Sequence, residues 1–340
     1  MRSLVKAPAA RREPTFLHPA PEYVRFEKPP VIEPIDAFVL ETGERFNARI
    51  VYYEYGVVSI EFELAFKLDW QGLVSFSARW INASDIEKHA ADAVRFHVSR
   101  ARPALVKPYD YRLSEDYYVV HLKPIIKEDG SPKSAAELIE FHGDAIAQIV
   151  RGELAPLSPG ERAEILESRL SYYPTDLLVA GWTAALVYDT PEGAAPTIQL
   201  LEYANTQLLE FRHYDHVLSR LLAEVYGSLE KGTGFWARWR LAREAERLNT
   251  IRLDVRELAE RMDNAIKFLS DMFSARLYRL AAAKIGVPDY RTLVDQKLQT
   301  AGELYGFMMD RFYQSRAFLL ELMVVIILII ELFFLFRGKS

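Results

Sequence analysis

The sequence of 340 residues contains no cysteine. Disulfide bonds, thiolate zinc sites, iron–sulfur clusters and thiol nucleophiles are therefore excluded, and the composition fits a reducing compartment. The chain also has no excess of positive charge, because 42 Lys and Arg residues oppose 47 Asp and Glu residues. Nucleic acid is therefore not the expected partner of the chain as a whole. The motifs of familiar hydrolases, Gly-x-Ser-x-Gly and His-Glu-x-x-His, are also missing, and we predict no catalytic residue.

The first 34 residues hold seven of the 17 prolines. This composition predicts an extended, poorly ordered tail over 1–34. Apolar and polar residues then alternate with the period of two that is typical of half-buried strands. The pattern predicts strands over Ile35–Leu40, Arg49–Glu54 and Val57–Leu64, the last two forming a hairpin.

Strand and helix patterns continue up to residue 195. Strands are predicted over Gly72–Trp80, Tyr117–Leu122 and Leu177–Tyr188, and a helix over Ser134–Val150. This mixed order indicates an α+β head domain over 35–195, in which helices cover one face of a mainly antiparallel sheet.

After residue 195 the apolar residues follow the period of long helices. They recur at alternating steps of three and four through 196–316, which predicts a coiled-coil stalk of long antiparallel helices. Asp215 occupies one position of this apolar seam, and we expect it to fix the helix register at a cost in stability. Because a neighbouring chain can also cover so long a seam, we expect a homo-oligomer.

The most apolar part of the sequence is 317–336, which contains only two charged residues. A helix of 20 residues spans about 30 Å, the thickness of the hydrocarbon layer of a membrane. We therefore predict a single transmembrane helix followed by a short tail at 337–340, and hence a tail-anchored membrane protein. Since no signal-peptide pattern occurs, the head is expected in the cytoplasm at the inner membrane. The lesser alternative is the mitochondrial inner membrane, with the head facing the matrix.

Glu321 and Glu331 are the two charged residues of that helix. A lipid-facing carboxylate near the membrane centre costs about 2.5 to 3.5 kcal/mol, so we expect Glu331 to be protonated or to face a protein partner, whereas Glu321, nearer Arg316, could instead reach the membrane interface. They lie ten residues apart, which is about 280° around a helix, so one flat dimer seam cannot cover both. Several helices packed together could cover both, and we predict a role in oligomerisation.

Four segments of the chain are typical of one protein family. They are YYEYGVVSIEF at 52–62, GWTAALVYD at 181–189, RLNTIRLDV at 247–255 and LELMVVIILIIEL at 320–332. They resemble the fungal "required for meiotic nuclear division" proteins and their mitochondrial relative, and this chain resembles a bacterial-type member. The resemblance implies a membrane-anchored, self-associating protein without known enzymatic activity. We expect no cofactor. Because the mitochondrial relative supports translation, the resemblance also implies a ribosome or another cytoplasmic assembly as partner.

Two further groups of residues are candidates for binding. Glu210, His213 and His216 share a helix face and could approach one metal ion, although they equally fit surface or interface histidines. Around residue 240, tryptophans and arginines alternate in a pattern suited to lipid headgroups or a nucleic-acid backbone, or to a solvated helix face. This second group comprises Trp236, Arg238, Trp239, Arg240, Arg243 and Arg247.

Three functions remain open from the sequence. The favoured one is a non-enzymatic, membrane-tethered scaffold that presents its head and stalk to a partner. The second is an oligomeric ion pathway, in which clustered membrane helices place Glu331 around a pore. The third is a metal-dependent enzyme that uses Glu210, His213 and His216, together with ligands that the sequence does not identify.

Overall fold

The computed structural model describes residues 10–11, 30–53, 55–81, 83–105, 113–231, 243, 245–257, 259–260 and 272–337. The chain divides into two compact units. The first unit comprises 1–213 and 260–290, and the second comprises 214–259 and 291–340. Most of the predicted tail, 1–9 and 12–29, lies outside the described residues.

The first sheet of the first unit has four antiparallel strands in the order β1-β2-β3-β4. They are β1 (Ala10–Arg11), β2 (Val31–Val39), β3 (Arg45–Tyr52) and β4 (Val58–Glu63). The predicted hairpin is formed by β3 and β4. Its turn depends on Gly56, because the φ of 101° at this position is one that residues with a Cβ rarely adopt.

The second sheet of this unit has the strand order β5-β8-β7-β6. The strands are β5 (Tyr118–Leu122), β6 (Arg169–Leu170), β7 (Leu177–Ala180) and β8 (Ala184–Tyr188). β5 and β8 are parallel, and the other pairs are antiparallel. The prediction of one strand over Leu177–Tyr188 was therefore wrong. The chain turns back at 181–183, where the Gly181 N–H donates to the Ala184 carbonyl at 2.9 Å.

Four shorter helices of the first unit are α1 (Trp70–Ile81), α2 (Ser84–Ala101), α3 (Ala135–Arg151) and α4 (Pro159–Glu167). The prediction of a strand over Gly72–Trp80 was wrong, because α1 covers this range. The buried residues of α1 include Leu73, Val74, Ser77 and Ala78, which is helical spacing. A short apolar run fits either period, and here tertiary packing selects the helix.

The core of the first unit lies between α3 and the second sheet. Ile146 and Ile149 of α3 pack in one cluster with Val179, Leu186 and Tyr188 of the sheet, and all five are at most 2% exposed. Alternate residues of both strands and one face of the helix thus form a single apolar layer.

The remaining helices are α5 (Pro191–Lys231), a helical segment α6 at 245–257, α7 (Met272–Ile285) and α8 (Val287–Arg337). Of these, α5 and α8 are long, with 41 and 51 residues. The core of the second unit brings together three of these helices. Leu221 and Val225 of α5 cluster there with Leu248 of α6 and with Ala301 and Met308 of α8.

The predicted membrane span is not supported. Within the described part of the chain, no helix combines the length and the apolar character that crossing a membrane requires. The predictions of a transmembrane helix at 317–336, of a tail-anchored membrane protein and of a place in the inner membrane were therefore wrong. The two glutamates interrupt the apolar run, and the nine residues 322–330 between them cover about 14 Å, half of the hydrocarbon thickness. The fold is an α+β N-terminal region together with long helices.

Candidate functional site

Five polar side chains lie on one side of α5 inside the first unit, and we call them the polar face. Burying polar groups costs free energy unless they are hydrogen-bonded, so an array of this kind requires partners. Steps of one and three residues along the helix keep all five on the same side. They are Tyr203, Thr206, Gln207, Glu210 and His213, and none is more than 8% exposed.

Two tyrosines from other elements contact the polar face. Tyr55, in the turn between β3 and β4, has its hydroxyl 2.7 Å from Thr206 Oγ1. Tyr278 of α7 donates its hydroxyl to Gln207 Oε1. The Tyr203 ring neighbours both, with centroid distances of 6.1 Å to Tyr55 and 6.0 Å to Tyr278. Side-chain hydrogen bonds therefore connect the hairpin turn, α5 and α7.

Glu202 borders the polar face and is held by groups of the hairpin. Its carboxyl group is hydrogen-bonded to Ser59 and Tyr53, while the carboxylate of Glu61 nearby is paired with Arg49. Burial raises the pKa of Glu202 from 4.5 to about 7, and repulsion from Glu61 adds to this increase. The two hydrogen bonds and the charge of Arg49 act in the opposite direction. Glu202 therefore gains or loses a proton near neutral pH.

The neighbouring tyrosines keep their protons. Burial raises the pKa of Tyr53 and of Tyr55 well above the ordinary value of 10. Their rings stack, with centroids 5.2 Å apart. Both phenols thus remain neutral hydrogen-bonding groups, whereas Glu202 changes its charge. The group that exchanges a proton is therefore Glu202, on the side of α5 that contacts the hairpin.

The three predicted metal ligands differ in their burial and in their position on α5. Glu210 and His213 belong to the polar face, and His216 is half-buried further along α5. Among the residues that the structure describes, no group of three or more His, Asp or Glu side chains is arranged to hold a metal ion. Glu210, His213 and His216 are thus not assembled as a metal site.

Asp215, the predicted register residue, lies in the second unit and has a charged partner in the same unit. It forms an ion pair with Lys297 of α8, whose Nζ also donates to Ser219 Oγ at 2.5 Å. The side chains of Asp215 and Lys297 are 23% and 29% exposed. The polar position in the seam is therefore a partly buried ion pair between α5 and α8.

The predicted aromatic and basic cluster is only partly described. Trp236, Arg238, Trp239 and Arg240 lie outside the described residues. Arg243 is exposed. Arg247 of α6 donates to Glu224 of α5 at 2.9 Å, so this arginine contributes to packing within the second unit.

Between Leu320 and Leu332, α8 exposes apolar side chains on all sides, and we call this stretch the apolar segment. Its large apolar residues range from 43% exposed at Leu322 to 60% exposed at Ile329. Glu321 and Glu331 are exposed as well. Contiguous exposed apolar surface of this kind indicates a contact surface.

Glu202 was not identified from the sequence, nor were the two tyrosines, Tyr55 and Tyr278, that are hydrogen-bonded to the polar face. Tyr55 and Tyr278 are separated from Thr206 and Gln207 by 151 and 71 residues, so their contacts depend on the tertiary fold. The sequence signal that could have indicated the polar face is the recurrence of polar residues at helical spacing on one side of α5.

Comparison with known proteins places the N-terminal region in a family. Residues 1–195 match the model described as "Uncharacterized protein MJ0711, N-terminal domain". Over 194 residues the chain is 20% identical to the uncharacterized protein MJ0711 of Methanocaldococcus jannaschii, which covers 57% of this chain and 59% of that protein. The alignment thus spans less than two thirds of the relative. No solved structure matches the chain significantly.

The matched region includes the hairpin with Tyr55 and ends before the polar face of α5. The resemblance to the "required for meiotic nuclear division" proteins is not tested by these matches and stays a prediction. Because the family model covers more than half of the sequence, this chain belongs to the MJ0711 N-terminal domain family.

Proposed function

We propose that this protein is a non-enzymatic scaffold that self-associates, and that the apolar segment holds its copies together. The observation that carries the proposal is the exposure of that segment. Eleven large apolar side chains occur within its thirteen residues, and each is at least 43% exposed. Apolar surface on this scale is unfavourable in water and is covered when copies associate.

The size of the segment is sufficient for a specific interface. Eleven such side chains, each about half exposed, present roughly 800 to 1,000 Å² per chain, which matches the about 800 Å² per partner of a standard interface. The exposed apolar area of the segment is therefore within the range of a standard interface.

A second copy fits the segment better than an unrelated partner does. Its side chains are exposed around the whole helix, so several neighbours can pack on it at once, as in a bundle to which each copy contributes the same helix. Glu321 and Glu331, about 280° apart, would then each meet a neighbouring helix. Assembly would display several copies of the first unit. A ribosome or another large assembly as the target of this display stays a prediction.

The test is the particle mass of the full chain in lipid-free buffer, measured by sedimentation over a range of concentrations. We expect the wild type to form a multiple of its 39.0 kDa monomer. The double variant Ile326→Lys, Ile329→Lys should sediment as a monomer, because two charges in the interface oppose burial. The matched control is Leu154→Lys, since Leu154 is 61% exposed but lies in a loop outside the segment.

Three results would contradict the proposal. The wild type could remain at 39.0 kDa at every concentration, or the double variant could assemble as the wild type does. A monomeric wild type that floats with phosphatidylcholine vesicles would assign the apolar segment to lipid contact instead of self-association.

A further inference from the structure

A small pocket lies in the first unit, beside β7 and β8 and next to the first turns of α5 and α7. Its wall consists mainly of buried apolar side chains, among them Leu177, Leu200 and Leu277. Two carboxylates, Asp176 and Asp189, also line it, together with the hydroxyl-bearing residues Thr197 and Ser274. Of the fifteen described residues that form the wall, none is Lys, Arg or His.

Both carboxylates are fixed in place. Asp176 accepts hydrogen bonds from the backbone N–H groups of Tyr172 at 2.8 Å and Tyr173 at 2.7 Å. Asp189 accepts one from the backbone N–H of Thr190 at 2.6 Å. Gly193 leaves room for the Asp189 carboxylate, since a Cβ at this position would collide with it. The two negative groups are therefore held rigidly at the pocket.

The surroundings of Asp189 are predominantly negative. Burial is the main cause that raises the pKa of Asp189, and the charges of Asp176 and Glu192 raise it further. The Thr190 N–H and His121 lower it, and the His121 Nε2 lies 3.0 Å from the Asp189 carbonyl oxygen. A cation in the pocket would relieve the repulsion between the carboxylates.

Aromatic rings form another part of the wall. The rings of Tyr172 and Phe273 meet edge to face, with centroids 4.9 Å apart and an interplanar angle of 75°. The guanidinium of Arg276 lies 5.9 Å from the centroid of the Phe273 ring. Aromatic rings beside carboxylates are typical of sites for organic cations.

We propose that this pocket binds the head group of a primary alkylammonium ion. The three N–H groups of the ammonium would meet Asp176 and Asp189, while the adjoining methylene groups would contact Tyr172 and Phe273. The pocket is partly open to solvent, and its interior holds about three water molecules. That volume accommodates an ammonium group with one or two methylene groups, and the rest of the ligand extends out of the pocket.

The probe is n-butylammonium chloride, titrated into the full chain by calorimetry at pH 8 and constant ionic strength. We expect saturable binding, and no binding of n-butanol, which has the same length without the charge. Asp189→Asn should weaken binding about tenfold or more, because it removes the charge and keeps the shape. The matched control Asp92→Asn should bind as the wild type does, since Asp92 is exposed on α2 and pairs with Arg95.

Two further measurements distinguish direct binding of the ammonium group from a loss of binding caused by altered folding. Phe273→Leu should weaken binding about threefold while preserving an apolar wall, and it serves as the test variant if Asp189→Asn does not fold. Wild-type affinity should fall in acid, as Asp189 becomes protonated. Equal binding of n-butanol, an unchanged affinity in folded Asp189→Asn or in Phe273→Leu, or the absence of saturable binding would each overturn the proposal.

Discussion

Glu202 should make the stability of the protein depend on pH in the neutral range. Its carboxyl group is buried beside the β3–β4 hairpin, next to Glu61, whose carboxylate is paired with Arg49. The substitution Glu202→Gln keeps the size of the side chain and its hydrogen-bonding ability but removes its titration. The variant therefore isolates the effect of the charge.

The magnitude follows from the pKa of Glu202, which is about 7 in the folded chain and 4.5 as the ordinary value. Between these two pH values the folded state holds a proton that the unfolded state has lost, so the free energy of unfolding decreases as the pH rises. The stabilising contribution is fully present below about pH 4.5 and is lost above about pH 7. At about 1.4 kcal/mol per pKa unit, the total change is on the order of 3 kcal/mol.

The assay is urea unfolding of the wild type and of Glu202→Gln at a series of pH values from about 5 to about 8. The variant should be increasingly more stable than the wild type as the pH rises, by on the order of 3 kcal/mol at pH 8. Glu140→Gln on the exposed side of α3 is the matched control and should give a flat difference. A flat difference for Glu202→Gln as well would refute the reasoning.

Three other changes test the remaining contacts. Asp215→Leu should lower the free energy of unfolding by about 1 to 2 kcal/mol because it leaves Lys297 without its carboxylate, and the loss should shrink in the Lys297→Met background of a double-mutant cycle. Tyr55→Phe removes the hydrogen bond to Thr206 and should cost about 1 kcal/mol in urea unfolding, whereas an unchanged midpoint would show that this contact contributes nothing. Glu331→Gln should preserve the particle mass in lipid-free buffer, because the amide keeps the size of the side chain and removes only the repulsion between like charges of neighbouring copies; a monomeric Glu331→Gln variant would contradict this reasoning.

The spacing of apolar residues along the sequence correctly predicted those elements in which it fits only a strand or only a helix. Alternation around Val58, Ile60 and Phe62, next to a glycine turn, predicted the hairpin that forms β3 and β4. The apolar steps of three and four after residue 195 predicted long helices, and α8 is one of them. Both features depend on residues close together in sequence, so the tertiary fold did not need to be known.

The predictions were wrong where the spacing of apolar residues is compatible with more than one structure. The run Gly72–Trp80 fits a strand or a helix, and packing on the first-unit core decides for α1. The turn at 181–183 was missed because buried residues flank it on both sides. At the end of α8, the apolar composition was given more weight than the interruptions by Glu321 and Glu331, which led to the wrong prediction of a membrane span.

Only part of the candidate site could be predicted from the sequence. The spacing of Glu210 and His213 was visible, and both side chains lie on the polar face. The side chains that surround the polar face could not be predicted, because Tyr55 and Tyr278 contact it from distant parts of the sequence. The increase in the pKa of Glu202 likewise arises from burial against the hairpin, which no local pattern encodes.

Disulfide trapping tests self-association through the apolar segment most directly, because the chain has no native cysteine. A single Ile326→Cys substitution places one thiol in the segment, and a single Leu154→Cys substitution places one in an exposed loop as control. Upon mild oxidation of dilute protein, Ile326→Cys should form a covalent dimer of twice 39.0 kDa, while Leu154→Cys should remain monomeric on a non-reducing gel. Equal cross-linking of the two variants, or none in either, would contradict the proposed assembly.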